Sequence, residues 1–169
     1  NTGLIAGMGG NGDSGYTALA ALGPYSLIQY NSINKAGYNG IFFKGNSTQV
    51  LNNYVNNVCL TKNDGAAIYT WVGTGKGFTG QKVIENIVLN SKDKGIYMDD
   101  GTEGVQLIGN TIANCGFTGL FLHNAHNLEI KNNNIYNCSQ MQVYCVHDNY
   151  APDDPIRSIL INNNNFISK

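Results

Sequence analysis

The chain has 169 residues, enough for one domain with a hydrophobic core, and we expect residues 1–169 to form a single domain. Ten basic and eleven acidic residues give a net charge near zero, which argues against a nucleic-acid-binding face. Only 12% of the residues are charged, and no apolar run is long enough to span a membrane. This composition favours a sugar-binding or self-stacking protein over a cytosolic enzyme, so we expect a secreted or cell-surface location.

Six segments repeat one pattern along the chain: an apolar residue stands three positions before an Asn, and another stands two positions after it. In chain order the segments are SLIQYNSI, TQVLNNYV, QKVIENIV, VQLIGNTI, LEIKNNNI and ILINNNNF. The aligned asparagines are Asn31, Asn53, Asn86, Asn110, Asn133 and Asn164. Three of the spacings are 22, 24 and 23 residues, and the spacings of 33 and 31 correspond to one unit plus a loop.

A further short strand follows the first five of these segments: GIFFK, AIYTW, GIYMD, GLFLH and QVYCV. Short strands at a fixed period, without helical periodicity between them, are typical of a solenoid. An inward Asn could hydrogen-bond the same Asn in the next coil, about 4.8 Å away, and so form a ladder.

This unit, with three short strands and an asparagine ladder, resembles the right-handed parallel β-helix of the pectate-lyase-like superfamily. The resemblance implies an all-β solenoid of about six to seven coils. Because the sequence shows no capping helix at either end, we expect a fragment of a longer β-helix or an end-to-end self-association.

Alternation along the GIYMD-like strands predicts which side chains point out of the solenoid. If Ile96 and Met98 are in the core, Tyr97 and Asp99 face solvent. The first outward column is then aromatic and contains Phe42, Tyr69, Tyr97, Phe121 and Tyr144. The second column contains Lys44, Trp71, Asp99, His123 and Val146. Stacked aromatic residues can simply stabilise a sheet, but beside Trp, Asp and His they favour a carbohydrate groove.

Two long insertions, TWVGTGKGFTGQ and HDNYAPDDPIRS, leave from the ends of strands in this same column. Long loops of a solenoid usually lie on its binding face, so these two loops could wall the groove. The polysaccharide or oligosaccharide partner is expected to contact Lys44, Tyr69, Trp71, Tyr97, Tyr144, His147 and Arg157.

Carboxylates occur on successive coils: Asp64 precedes AIYTW, Asp99 and Asp100 end the next such strand, and His123 ends the one after. This order is similar to that of the polygalacturonase-type glycoside hydrolases. The resemblance implies that Asp99 or Asp100 is the general acid and that Asp64 and the other aspartate activate water. It also implies that His123 supports the site. The sequence lacks that family's Arg-Ile-Lys substrate clamp, so an acidic sugar is not implied.

Two alternatives to a polysaccharide-cleaving glycoside hydrolase stay open. In a lyase or epimerase, Asp99, Asp100 and Asp148 would bind Ca²⁺ while Lys44, His123 or His147 abstracts a proton next to a uronate carboxyl. In a structural or adhesive β-helix, the aspartate pair would only cap a turn. The hydrolase needs no cofactor and no metal; Ca²⁺ belongs to the lyase alternative. The four cysteines have no CxxC spacing, which argues against structural zinc.

Overall fold

The computed structural model describes residues 3–10, 12, 14–73, 75–148 and 155–168. These residues form strands and turns, with no helix among them. A helix long and apolar enough to cross a membrane is therefore not found in this described part. The strands in chain order are β1 (Leu19–Ala21), β2 (Leu27–Gln29), β3 (Ser32–Asn34), β4 (Ile41–Phe43), β5 (Gln49–Leu51), β6 (Tyr54–Asn56), β7 (Ala66–Thr70), β8 (Lys82–Ile84), β9 (Ile87–Leu89), β10 (Lys94–Met98), β11 (Gln106–Ile108), β12 (Thr111–Ala113), β13 (Thr118–His123), β14 (His126–Lys131), β15 (Asn134–Tyr136), β16 (Met141–Val146), β17 (Arg157–Asn162) and β18 (Asn165–Ile167).

Three parallel sheets of six strands each build the solenoid. The first sheet has the order β1-β4-β7-β10-β13-β16, the second β17-β14-β11-β8-β5-β2, and the third β18-β15-β12-β9-β6-β3. Each turn of the chain therefore adds one strand to every sheet, which gives six three-strand coils. The predicted all-β parallel solenoid is confirmed, and its six strand layers amount to about five full turns of the chain.

The repeated apolar positions form the interior. Leu107 pairs with Ile130 in the second sheet, and Ile112 pairs with Ile135 in the third, so like positions stack directly on each other. All four side chains are at most 1% exposed. Full burial of such a side chain contributes roughly 1.5–3 kcal/mol, so the stacked columns are the main stabilising element of a fold made of very short strands.

The six aligned asparagines form one continuous ladder, as predicted. The backbone N–H and side-chain amide of each donate to the Oδ1 of the next, as Asn53 does to Asn86 at 2.9 Å in both bonds. The side-chain amide also donates to a backbone carbonyl of the coil below, for example from Asn86 to Val50 at 2.9 Å. Asn53, Asn86, Asn110 and Asn133 are at most 2% exposed, so the ladder satisfies polar groups that water cannot reach.

The outward aromatic column is more enclosed than the sequence predicts. Successive rings from Phe42 to Tyr144 contact each other at tilted angles, with centroids 4.8–5.3 Å apart. The rings from Tyr69 to Tyr144 form a cluster separate from the interior core. Tyr97 is 3% exposed and Asp99 is 8% exposed, so the expectation that both face solvent is wrong. Each ring is covered by its neighbours above and below, and the Lys94 ammonium lies 4.7 Å from the centre of the Tyr97 ring. The column therefore stabilises the sheet.

Candidate functional site

The ends of β10, β13 and β16 bring the candidate residues together. These strands pair in register, with Tyr97 beside Phe121 and Phe121 beside Tyr144. The strand ends consequently lie side by side, with Asp99 and Asp100 next to His123 and Asn124. Val146 pairs with His123, and His147 and Asp148 follow it on the coil above. Neighbouring parallel strands are about 4.8 Å apart, close enough for side chains on successive coils to hydrogen-bond.

Three carboxylates surround the His123 ring, two at its Nδ1 and one at its Nε2. Its Nδ1 lies 2.9 Å from Oδ1 of Asp99 and 3.4 Å from Oδ1 of Asp100, and its Nε2 lies 2.9 Å from Oδ2 of Asp148. Its ring stacks on Phe121 at an interplanar angle of 8°. Burial by itself lowers the pKa of His123, but the hydrogen bonds to Asp99 and Asp148 outweigh it, and the pKa is raised above its ordinary value. The geometry therefore favours an imidazolium whose two N–H groups each face a carboxylate.

Donors surround the Asp99 carboxylate. The Tyr69 hydroxyl donates to its Oδ2 at 2.8 Å, and the backbone N–H of Asp100 donates to its Oδ1 at 2.9 Å. Together with the His123 contact, these bonds stabilise negative charge on Asp99. Burial, and next the negative charge of Asp99, raise the pKa of Tyr69 and of Tyr97, which keeps both phenols neutral.

Asp100 is in a different environment, although it is the next residue. Its side chain is 8% exposed, and its Oδ1 accepts a hydrogen bond of 2.7 Å from the Asn124 amide. Burial raises the pKa of Asp100 and the Asn124 hydrogen bond opposes that rise; the net shift is upward. Its backbone carbonyl accepts the N–H groups of Val72 and Gly73, so the first insertion packs directly against the aspartate pair.

An open pocket of about 340 Å³ lies over this group. Its lining contains all four predicted catalytic residues and is formed by Asp64, Trp71, Tyr97, Asp99, Asp100, His123 and Asp148. Asp64 borders the pocket but pairs with a different residue: its carboxylate lies 2.8 Å from the Lys94 ammonium and is 81% exposed. The reason is its place in the turn before β7, at the opposite end of the sheet from the strand ends that carry Asp99 and His123.

A second pocket of about 250 Å³ adjoins the first and shares Trp71 with it. Its lining also contains the predicted substrate residues Lys44 and Tyr69. The Lys44 ammonium lies 4.2 Å from the centre of the Trp71 ring, and burial lowers the pKa of Lys44. A tryptophan face with a nearby cation is a surface on which a sugar ring or its polar substituents could bind.

The family model described as "Right handed beta helix region" matches residues 75–168, which is more than half of the chain. The chain belongs to the right-handed β-helix family. No curated protein and no solved structure matches it significantly. The family is one of carbohydrate-active and structural β-helix proteins, and the matched residues include the ends of β10, β13 and β16.

Three predicted substrate residues of this right-handed β-helix lie outside both pockets. Tyr144 packs in the aromatic column against Phe121, and Arg157 begins β17 in the second sheet, where its Nη1 donates to the carbonyl of Pro155. His147 turns toward Asn124, whose Oδ1 lies 2.8 Å from its Nδ1. The remainder of the second insertion, residues 149–154, lies outside the described residues.

Asn124 was missed by sequence reasoning as a site residue of this β-helix. Its amide contacts both Asp100 and Asp148, at 2.7 and 3.0 Å. The only signal in the sequence is its place directly after His123, at the end of an outward column. Asp148 was predicted only as a calcium ligand. In the structure its Oδ2 lies 2.9 Å from Nε2 of His123, so it is a hydrogen-bond partner of the imidazole.

The fit of this β-helix site to Ca²⁺ is poor. Asp99, Asp100 and His123 offer one ligand atom each within 4.8 Å of one another. Calcium takes oxygen ligands, however, and the third group here is an imidazole. The oxygen of Asp148 that would complete a calcium site lies 2.9 Å from the far nitrogen of that ring. The four residues are therefore arranged as a hydrogen-bonded ion-pair group.

Proposed function

We propose that this chain is a polysaccharide-cleaving glycoside hydrolase that acts by general acid–base catalysis at the strand-end pocket. One observation carries the proposal: Asp99, Asp100, His123 and Asp148 form a single hydrogen-bonded group that borders a pocket beside Trp71. Two carboxyl groups in unlike environments are the usual requirement for breaking a glycosidic bond.

The unlike environments suggest the two roles. Asp100, whose pKa burial raises, keeps its proton to higher pH and would donate it to the departing glycosidic oxygen. Asp99, which accepts hydrogen bonds from Tyr69 and from its neighbour's N–H, would accept a proton from the attacking water. Asp64 is assigned neither role because its carboxylate pairs with Lys94.

The role proposed for His123 separates this hydrolase from a lyase. A lyase base needs a ring nitrogen free to take a proton from the sugar. Both ring nitrogens of His123 lie 2.9 Å from carboxylates, so the ring is better suited to holding Asp99 in place.

The substrate would run along the solenoid axis. The two pockets share Trp71 and follow one another across the first sheet, from Lys44 on the second coil to Asp148 on the sixth. Four coil-to-coil steps of about 4.8 Å each are long enough for a short oligosaccharide. The sugar next to the one being cleaved would stack on the Trp71 ring.

The experiment is a product analysis of the intact chain on a panel of neutral and acidic polysaccharides, with and without EDTA. The hydrolase predicts new reducing ends, no unsaturated sugar, and the same rate in EDTA. Unsaturated products whose formation stops in EDTA would replace the hydrolase by a calcium-dependent lyase. If the chain binds polysaccharides of the panel without cleaving them, or neither binds nor cleaves any of them, a structural or adhesive β-helix is favoured.

A further inference from the structure

Asn124 is a fully buried amide at the outer end of β13. It is 0% exposed, and its backbone has a φ of +46°, in the left-handed region that Asn tolerates better than most residues. A buried side-chain amide must find partners for two N–H donors and for a carbonyl oxygen with two lone pairs. The residues that supply these partners therefore reveal what the amide holds in place.

The polar contacts of the Asn124 amide all go to the residues around His123. Its Nδ2 donates to Oδ1 of Asp100 at 2.7 Å and to Oδ1 of Asp148 at 3.0 Å, and it lies 3.4 Å from Nε2 of His123 itself. Its Oδ1 accepts the backbone N–H of Asp148 at 3.0 Å and lies 2.8 Å from Nδ1 of His147. A flipped amide would face carboxylates with its oxygen and an N–H with its nitrogen, so the neighbours fix its orientation.

These contacts differ from those of the inner ladder. A ladder asparagine such as Asn110 donates to the next asparagine and to a backbone carbonyl, and touches no charged group in those bonds. Asn124 donates to two carboxylates on the coils below and above it. The two oxygens of the Asp148 carboxylate have different partners: Oδ1 accepts from the Asn124 amide, and Oδ2 lies 2.9 Å from Nε2 of His123. The position of Asn124 thus determines where the second partner of His123 lies.

We propose that Asn124 is the positioning residue of this site: its amide joins Asp100 to Asp148 and so keeps His123 bridged between Asp148 and Asp99. This inference rests on the proposed hydrolase for its catalytic meaning. The charged or titratable groups around the amide are Asp100 after β10, His123 at the end of β13, and His147 and Asp148 after β16. Without the amide donors, Asp148 loses the bond that fixes its Oδ1, and its contact with Nε2 of His123 opens.

The test is Asn124→Gly, which removes the amide and still allows the left-handed backbone. Aspartate is unsuitable at this position because its new oxygen would take the place of Nδ2, which lies 3.4 Å from Nε2 of His123, and could accept that N–H itself. The readout is the downfield imidazole N–H proton spectrum of the intact chain at one fixed pH. Wild type should show two His123 resonances, one for each carboxylate contact. The variant should keep the Nδ1–H resonance, which belongs to Asp99, and lose the Nε2–H resonance. Its kcat should fall about 100-fold, with KM changed by less than about threefold.

Two further variants serve as a control and as a second test of the same position. Asn114→Gly is the matched control, since Asn114 is an exposed asparagine with a φ of +57° on the coil below, whose amide donates to Asn90. It should leave both His123 resonances unchanged. If Asn124→Gly does not fold, Asn124→Ser removes the amide with a residue type that this chain already holds in the left-handed region at Ser47 and Ser158, and should lose the same single resonance.

Retention of both His123 resonances in a folded Asn124 variant would overturn the positioning role. Loss of the Nε2–H resonance in a protein whose wild type cleaves no polysaccharide would support the positioning role and remove the hydrolase. The spectrum therefore reports on Asn124 independently of turnover.

Discussion

Asp99 and His123 are 24 residues apart in the chain, yet Oδ1 of the one lies 2.9 Å from Nδ1 of the other. The contact exists because β10 and β13 pair in register, with Met98 beside Leu122 immediately before the two residues. A one-residue slip would send one of the two side chains to the other face of the sheet. The interior columns that set the register therefore also assemble the site.

The pH dependence of stability should follow His123. Its folded-state pKa is raised because the contacts with Asp99 and Asp148 outweigh burial, so the folded chain holds this proton more tightly than the unfolded chain. The stabilisation is fully present below the unfolded pKa of about 6.5 and is lost as pH rises through the folded value. The pKa of Asp100 is also raised on folding, so its protonation likewise stabilises the folded chain, and this stabilisation is lost as pH rises above the ordinary value of about 3.8.

Urea unfolding between pH 5 and pH 9, a range that brackets the ordinary histidine pKa of about 6.5, should thus show wild-type stability falling as pH rises. His123→Gln should flatten the decline above about pH 6.5. An equally steep decline in the variant would show that another group causes it.

The inner ladder should be far more sensitive to substitution than the outer asparagines. Asn86→Ala removes the acceptor for two donors of Asn53 and the donor to Val50, and leaves these groups buried without partners. The free energy of unfolding should fall by more than about 3 kcal/mol, measured by chemical denaturation.

Asn90→Gly is the matched control for the ladder. Asn90 has a φ of +55°, which glycine accepts, and donates one hydrogen bond to Asn56 near the surface. We expect a loss below about 1 kcal/mol. Equal losses for the two variants would mean that the ladder has no special part in stability.

Trp71 should contribute to glycan binding more than to folding. Its ring is partly exposed, borders both pockets and stacks against the Lys44 ammonium. Trp71→Ala should weaken oligosaccharide binding about tenfold or more by calorimetry, while the melting temperature changes little. Tyr25→Ala removes an aromatic ring that is 78% exposed and outside both pockets, and serves as the control. Unchanged affinity in Trp71→Ala would exclude the proposed groove.

Much of the fold could be predicted from the sequence because the positions that stack on each other are occupied by the same or similar residues in each coil. Asn53, Asn86 and Asn110 stand at the same offset from their apolar neighbours, and the structure joins them in one ladder. The exposure of the outward columns could not be predicted in this way. Alternation gives the side on which Tyr97 lies, but it does not reveal that Phe121 and Lys94 cover the ring.

The candidate site was predictable in part for a related reason. Asp99, Asp100 and His123 end strands of one sheet, so the period alone places them together. Asp64 lies in a turn, and turn geometry does not follow the period; its pairing with the Lys94 ammonium needed the structure. Asn124 looks in sequence like one more turn asparagine, and only its partners distinguish it.

The most direct measurement of the central claim is the rate of polysaccharide cleavage by wild type, Asp99→Asn and Asp64→Asn. Asp99→Asn is nearly isosteric and should lower turnover by about 100-fold or more. Because the buried Asp99 carboxylate is bonded to Tyr69 and His123, the free energy of unfolding should also fall, by about 1–3 kcal/mol, and turnover is measured on the folded variant. Asp64→Asn removes one of the two carboxylates paired with Lys94 and lies outside the hydrogen-bonded group, so it should lower turnover by less than about tenfold. Wild-type rates in Asp99→Asn, or no cleavage by wild type on any polysaccharide, would contradict the account.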